Sequence, residues 1–210
     1  MPTTTIAIIH PSELLHLGLI SVFTGEAGIM VVGQGFTSQE AQKLVKQHRP
    51  DLLLLFDRLD GDGSFDLVEK LKVSRPDLKI VMLGVQENTT YMARAAAAGA
   101  DDYLFEGSTK QQILNTIKDA AIGKPPSPFS IYGKVVASMQ DRTSNPAVRI
   151  TPRELQVLRH VGYGLSNKEI ARSLKISIET IKEHVQNILR KMGMNDRTQA
   201  AVWVVKQGLV

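Results

Sequence analysis

Cysteine is absent from all 210 residues, which excludes disulfide staples, thiolate metal sites and a cysteine nucleophile. Aromatic residues make up only 5% of the chain against 43% hydrophobic overall, so globular cores must be built mainly from aliphatic side chains. No apolar run approaches the length of a membrane span. The start, Met1-Pro2-Thr3-Thr4-Thr5, lacks the charged opening and long apolar core of a secretion signal, so a cytoplasmic location is expected. No nucleophile–base pairing, metal cluster or phosphate loop stands out; neither enzymatic activity nor a cofactor is expected.

What is present fits two domains of ordinary size. The formal net charge of +4 is unevenly spread. Residues 146–210 hold 11 Lys and Arg against 5 Asp and Glu, out of 25 and 21 in the chain, leaving 14 against 16 for residues 1–145. A small basic tail on a mildly acidic head is the electrostatic footprint of a nucleic-acid reader, so double-stranded DNA is the expected partner.

Within the basic tail, apolar residues recur at Ile170, Ala171 and Leu174, break at Lys175-Ile176-Ser177, and resume at Ile178, Ile181, Val185, Ile188, Leu189 and Met192. Two helices meeting at a tight corner give a helix-turn-helix. Each start carries a cap: Thr151-Pro152-Arg153-Glu154 and Ser166-Asn167-Lys168-Glu169 are capping boxes, and Ser177 can cap the third helix. Glu179, Lys182, Glu183, Gln186 and Arg190 share that helix's polar side. Glutamine and lysine suit base edges, while Arg190 and Lys191 suit phosphates.

These stretches, with Gly164-Leu165, Thr180-Ile181-Lys182-Glu183-His184-Val185 and Arg197-Thr198-Gln199-Ala200-Ala201, closely resemble the LuxR-type helix-turn-helix of NarL/FixJ response regulators. The resemblance implies that Lys182, Glu183 and Gln186 sit where the family reads bases. It also puts Lys168, Thr180, Arg190 and Lys191 near the DNA backbone, and makes the final helix around Val202 a dimerisation surface. Glu183 is the less usual choice, since a carboxylate beside phosphates is costly unless it accepts from a cytosine amino group.

The head has βαβ rhythm. Apolar runs at residues 5–9, 29–33, 52–56, 80–83 and 102–105 alternate with helical patterns at about 12–24, 38–48, 65–74, 88–98 and 109–122. The expected fold class is α/β, a doubly wound five-stranded parallel sheet of flavodoxin-like type followed by a small all-α helix-turn-helix domain. Its functional crevice should lie beyond Ile9, Phe56, Leu83 and Phe105, at the carboxyl ends of the strands.

About residues 4–123 resemble a response-regulator receiver domain, through Gly18-Leu19, Arg49-Pro50-Asp51-Leu52 and Ala98-Gly99-Ala100-Asp101-Asp102-Tyr103-Leu104. The resemblance places the family's Mg²⁺-holding acidic pair at His10 and Pro11, its phosphoryl-accepting aspartate at Phe56, its hydroxyl residue at Gly84 and its lysine at Glu106. Phosphoryl transfer to a carboxylate needs a cation and a lysine, and phenylalanine has no accepting oxygen. An atypical receiver not switched by aspartyl phosphorylation follows, acting through a homodimer. The alternatives are a phosphorylation-driven switch using Asp57 and a protein-interaction adaptor that has lost DNA binding.

Three other features read as structural. Gly33-Gln34-Gly35 lacks the third glycine of a dinucleotide fingerprint, with Ser38 in its place, and is expected to be a turn. Asp60-Gly61-Asp62-Gly63-Ser64 misses the glycine and bidentate acid of a calcium loop and is expected to be a solvated turn. His10 is expected to be hydrogen-bonded in the scaffold. The expected domains are residues 1–123, a linker with a short helix over 124–147, and residues 148–210, with breaks at Gly123-Lys124-Pro125-Pro126-Ser127-Pro128 and Arg142-Thr143-Ser144-Asn145-Pro146.

Overall fold

The computed structural model describes residues 3–59, 63–140 and 150–210. Asp60 to Asp62 and the break at Arg142 to Pro146 lie outside them. The described chain divides into two compact units, residues 1–87 with 98–127 and residues 88–97 with 128–210.

Strands and helices alternate as β1 (Thr4–Ile9), α1 (Glu13–Phe23), β2 (Ile29–Gly35), α2 (Ser38–His48), β3 (Leu52–Phe56), α3 (Gly63–Ser74), β4 (Lys79–Gly84), α4 (Thr89–Ala98), β5 (Asp102–Phe105) and α5 (Lys110–Ala121). The five strands form one sheet in the order β2-β1-β3-β4-β5, every pairing parallel. A parallel strand covered on both faces needs apolar side chains pointing both ways, and all of Leu52 to Phe56 are buried. On one face Ile6, Ile8, Leu52, Leu54, Val81, Leu83 and Leu104 pack with Leu19 and Phe23 of α1 and Ile113, Leu114 and Ile117 of α5. Strand order reverses between β1 and β3, which fixes a crevice beyond Ile9 and Phe56.

Gly33-Gln34-Gly35 is not a turn but the end of β2. Register runs Ile6↔Val31 and then Ala7↔Gly33, a bulge that inserts Val32 and carries the strand onward to Ile9↔Gly35. Glycine is needed there because a Cβ at position 33 would stand 2.7 Å from Leu44 Cδ2 of α2, so the helix can approach the strand closely. Of the second suspected turn, Gly63 and Ser64 open α3. Ser64 is fully buried, accepting from Leu59 N–H at 2.8 Å rather than facing solvent.

The second unit holds α6 (Ile131–Gln140), α7 (Pro152–Gly162), α8 (Asn167–Leu174), α9 (Ile178–Lys191) and α10 (Arg197–Lys206). Both capping boxes form: Thr151 Oγ1 accepts from Glu154 N–H and Glu154 Oε2 from Thr151 N–H, while Ser166 and Glu169 repeat the exchange. Val157, Leu158, Val161, Ile170, Ala171, Ile181, Ile188, Met192, Ala201 and Val204 form the core. Ile178, counted in the apolar stripe, is instead 41% exposed at the first residue of α9. No described helix is long and apolar enough to cross a membrane.

Candidate nucleic-acid interface and strand-end cluster

α8 ends at Lys175, which adopts the left-handed conformation (φ 54°), and α9 begins after Ser177, whose Oγ accepts from Thr180 N–H at 3.0 Å. The left-handed cap turns the chain sharply and the serine restarts the helix, so three residues make the corner. Burial of Ile181 and Ile188 fixes the rotation of α9, and Lys182, Glu183, Gln186 and Arg190 are consequently exposed. Lys168 is exposed on α8, and Thr180 is half-buried beside Ser177.

The exposed cations are tethered only loosely. Lys182 Nζ lies 2.9 Å from Glu179 Oε1, with the two side chains 53% and 76% exposed, a surface pair that gives way readily to a stronger anion. Arg190 Nη2 donates to Asn187 Oδ1 at 2.7 Å. Lys191 differs. Its Nζ is 2.6 Å from Glu154 Oε1, and Glu154 is buried, so this lysine ties the end of α9 to the start of α7. The lysine, followed by the Thr151 backbone, holds the Glu154 carboxyl down at about 2.

Val202 is not offered to a partner surface: it is 3% exposed, buried by the chain's own fold. α10 packs against α7 and α9 through Ala200, Ala201 and Val204 and also against α6, where Lys206 Nζ donates to Ser138 O at 3.1 Å. An amphipathic pattern alone does not distinguish a surface left for a partner from one covered by a neighbouring helix of the same chain.

At the carboxyl ends of the strands, four of the five places assigned by the receiver resemblance are in mutual contact or share neighbours. His10 is 4% exposed; its Nδ1 accepts from Ser12 N–H at 2.9 Å, so the ring proton sits on Nε2 and is donated to Glu106 Oε1 at 3.1 Å. Phe56 packs edge-on against the His10 ring, centroids 4.2 Å apart. Pro11 is exposed and takes no part in this cluster. Burial lowers the pKa of His10, and the Glu106 hydrogen bond offsets part of the shift.

Behind them, Asp57 is 2% exposed and accepts from the Tyr103 hydroxyl at Oδ2, while its Oδ1 has no partner. Burial raises the Asp57 pKa, the Tyr103 bond opposing it. A Cβ at Gly84 would collide with the Tyr103 hydroxyl, would stand 2.9 Å from its Cε1 and would lie 3.0 Å from Asp57 Oδ2. The hydroxyl of Tyr103 therefore fills the space that a side chain at position 84 would take. Sequence reasoning missed Tyr103, because only the pairing of β4 with β5, Met82↔Tyr103 and Gly84↔Phe105, brings it beside Gly84 and Asp57.

A hard divalent cation needs several oxygen ligands. His10 has both nitrogens engaged, Pro11 has no side-chain donor, and Asp57 is enclosed with Tyr103, so these residues do not fit the Mg²⁺ of the receiver resemblance. Among the described residues no three His, Asp or Glu converge as a metal-binding group.

Residues 6–118 match the response regulator receiver domain and residues 148–204 match the bacterial regulatory proteins of the luxR family. The chain belongs to the response regulators, as a transcriptional regulator whose DNA-binding helix-turn-helix module is of the LuxR family. It is 30% identical over 207 residues to the transcriptional regulatory protein LiaR of Bacillus subtilis, covering 98% of each chain. To the response regulator protein VraR of Staphylococcus aureus it is 28% identical over 214 residues, covering 99% of each. A structure of RcsB from Salmonella enterica serovar Typhimurium, bound to promoter rprA in the presence of phosphomimetic BeF3−, has the same fold with a TM-score of 0.61 at 18% identity, covering 95% of this chain and 96% of that one.

Proposed function

We propose that this chain is a cytoplasmic regulator that binds paired DNA half-sites as a homodimer and is not switched by aspartyl phosphorylation. The observation that carries the second half is Phe56. It occupies the place of the phosphoryl acceptor and packs on His10, whose only N–H goes to Glu106 where the resemblance calls for lysine. Phe56 itself offers no carboxylate, and Asp57, next along the chain, is enclosed with Tyr103.

On the DNA side, Lys182, Glu183 and Gln186 read base edges from α9, and Lys168, Thr180 and Arg190 contact phosphates. Lys191 adds long-range charge while remaining engaged with Glu154. A short recognition helix spans few base pairs, so specificity requires two copies on half-sites about 34–36 Å apart. Because Val202 is internal, we assign self-association to the exposed apolar face of α1 at Leu14 and Leu17, which are 80% and 61% exposed.

Intact-mass measurement after treatment with acetyl phosphate and Mg²⁺, paired with fluorescence anisotropy on operator DNA, tests the proposal. No adduct and an unchanged, salt-sensitive affinity are expected. A phosphoryl adduct abolished by Asp57→Asn would establish the alternative switch. Loss of salt-dependent DNA retention would favour the adaptor.

A further inference from the structure

A groove of about 630 Å³ lies between α2 and α3, away from the strand-end cluster. Its lining includes the buried apolar side chains Val45 and Leu71, and around them stand Lys46, Arg49, Lys70 and Arg75, with no carboxylate among the lining residues. This is unexpected for residues 1–145, which carry 14 basic against 16 acidic side chains. Arg75 is paired with Asp77, but Lys46, Arg49 and Lys70 bring three further positive charges to the same concavity, and an anion between them relieves their repulsion.

The cations differ in how they are held. Arg75 gives Nε and Nη2 to Asp77 at 3.3 and 2.9 Å and Nη2 also to Pro50 O at 3.4 Å, which fixes the guanidinium at the groove wall. Its Nη1 is enclosed and has no acceptor. Arg49 is set by the left-handed cap of α2 (φ 47°), and Lys46, Arg49 and Lys70 form no ion pair among the described residues. Guanidinium forks and lysine point charges suit phosphate oxygens, and an apolar floor suits a flat organic body. The volume falls within the range of small-ligand sites.

We propose that the α2–α3 groove binds a small polyphosphorylated anion of the nucleoside polyphosphate class, with Lys46, Arg49 and Lys70 on the phosphates, Arg75 held by Asp77 as the groove wall, and Val45 and Leu71 under the base. Isothermal titration of the full chain with ATP and with GTP, each at constant ionic strength, tests this. Saturable binding is expected, weakened at least tenfold in Lys46→Glu/Lys70→Glu and, as a milder variant, in Lys46→Ala/Lys70→Ala. Both lysines are exposed, so circular dichroism should be unchanged. Absence of saturable binding of either nucleotide, equal binding by the variants, or equal heats from sodium sulfate would overturn the proposal. So would variants that lose operator affinity while the parent ignores nucleotide, which would assign the groove to DNA phosphates instead.

Discussion

His10 Nε2 stands 3.1 Å from Glu106 Oε1, joining the carboxyl ends of β1 and β5, strands separated in the sheet by β3 and β4. The acid and base have exchanged ends relative to the receiver resemblance, in which an acid follows β1 and a lysine follows β5. An exchanged pair keeps a cross-sheet link. With Glu106 replaced by Gln, the His10 imidazole should titrate lower still, because the carboxylate is what offsets burial. Ring-nitrogen NMR should show the Nε2–H tautomer at neutral pH, and a higher His10 pKa in the variant would contradict the pairing.

Acid should weaken the first unit through two buried histidines. His16 is 1% exposed, stacks on Phe36 at 4.8 Å, and has no hydrogen-bond partner at either nitrogen. Burial lowers its pKa, which Gln34 and the His10 backbone offset in part without reaching hydrogen-bond geometry. With folded values below 6.5, the stabilising contribution is complete above pH 6.5 and is lost as pH falls through those values. His16→Leu should flatten the loss in urea melts between pH 7 and 5; an unaltered slope would clear His16 of the effect.

Asp57 has the opposite sign. Its raised folded pKa means that the neutral form stabilises, fully below the ordinary value of 3.8, and that this is lost as pH rises through the folded value. Asp57→Asn keeps an acceptor for Tyr103 without a charge to bury. Its melting midpoint at neutral pH should rise by about 2–4 °C, the shift that ~1 kcal/mol produces in a chain of this size. A lower midpoint would mean that the ionised carboxylate is stabilised by groups not yet identified.

Gly84→Ala should destabilise by about 1–3 kcal/mol, as overpacking does, because Tyr103 Cε1 would lie 2.9 Å from the added methyl. In a Tyr103→Phe background the nearest obstacle is gone, so the penalty should shrink, and a double-mutant cycle reads the coupling directly. Additive effects would place the crowding elsewhere.

In the second unit, Glu154→Ala removes both the capping partner of Thr151 and the ion pair to Lys191, and should cost about 1–2 kcal/mol in thermal melts. The Glu154 contribution is present above its ordinary 4.5 and is lost as pH falls through about 2, so Glu154→Gln should blunt acid unfolding of this module. Lys191→Ala should therefore lose stability as well as DNA affinity. Gln186→Ala should leave the melt unchanged and relax base preference at one position by about 1–3 kcal/mol.

How far the sequence could be read depended on the range of the interactions. Continuous runs such as Leu52 to Leu55 announce a covered parallel strand, and serine or threonine three residues before glutamate announces a helix start; both signals are local. Gly33 and Gly35 misled because glycine marks turns and close approaches alike, and only the position of Leu44 tells which. Val202 misled because α10 is packed by α6 and α7, helices distant from it in sequence. The Asp57–Tyr103–Gly84 contact spans three strands and has no local signal. By contrast, the exposed side of α9 was legible, since a buried stripe at Ile181 and Ile188 leaves one choice for the opposite face.

Interlocked packing at Gly84, Tyr103 and Asp57, beside the exchanged His10–Glu106 pair, also bears on how such a cluster can change over generations. A side chain introduced at 84 meets Tyr103, and a lysine introduced at 106 faces His10. Each change therefore acts on its neighbour, and paired changes need not carry the same cost as single ones. The cluster thus constrains the order of substitutions: a larger residue at 84 is admitted more readily after Tyr103 has shortened, and a basic residue at 106 after His10 has changed.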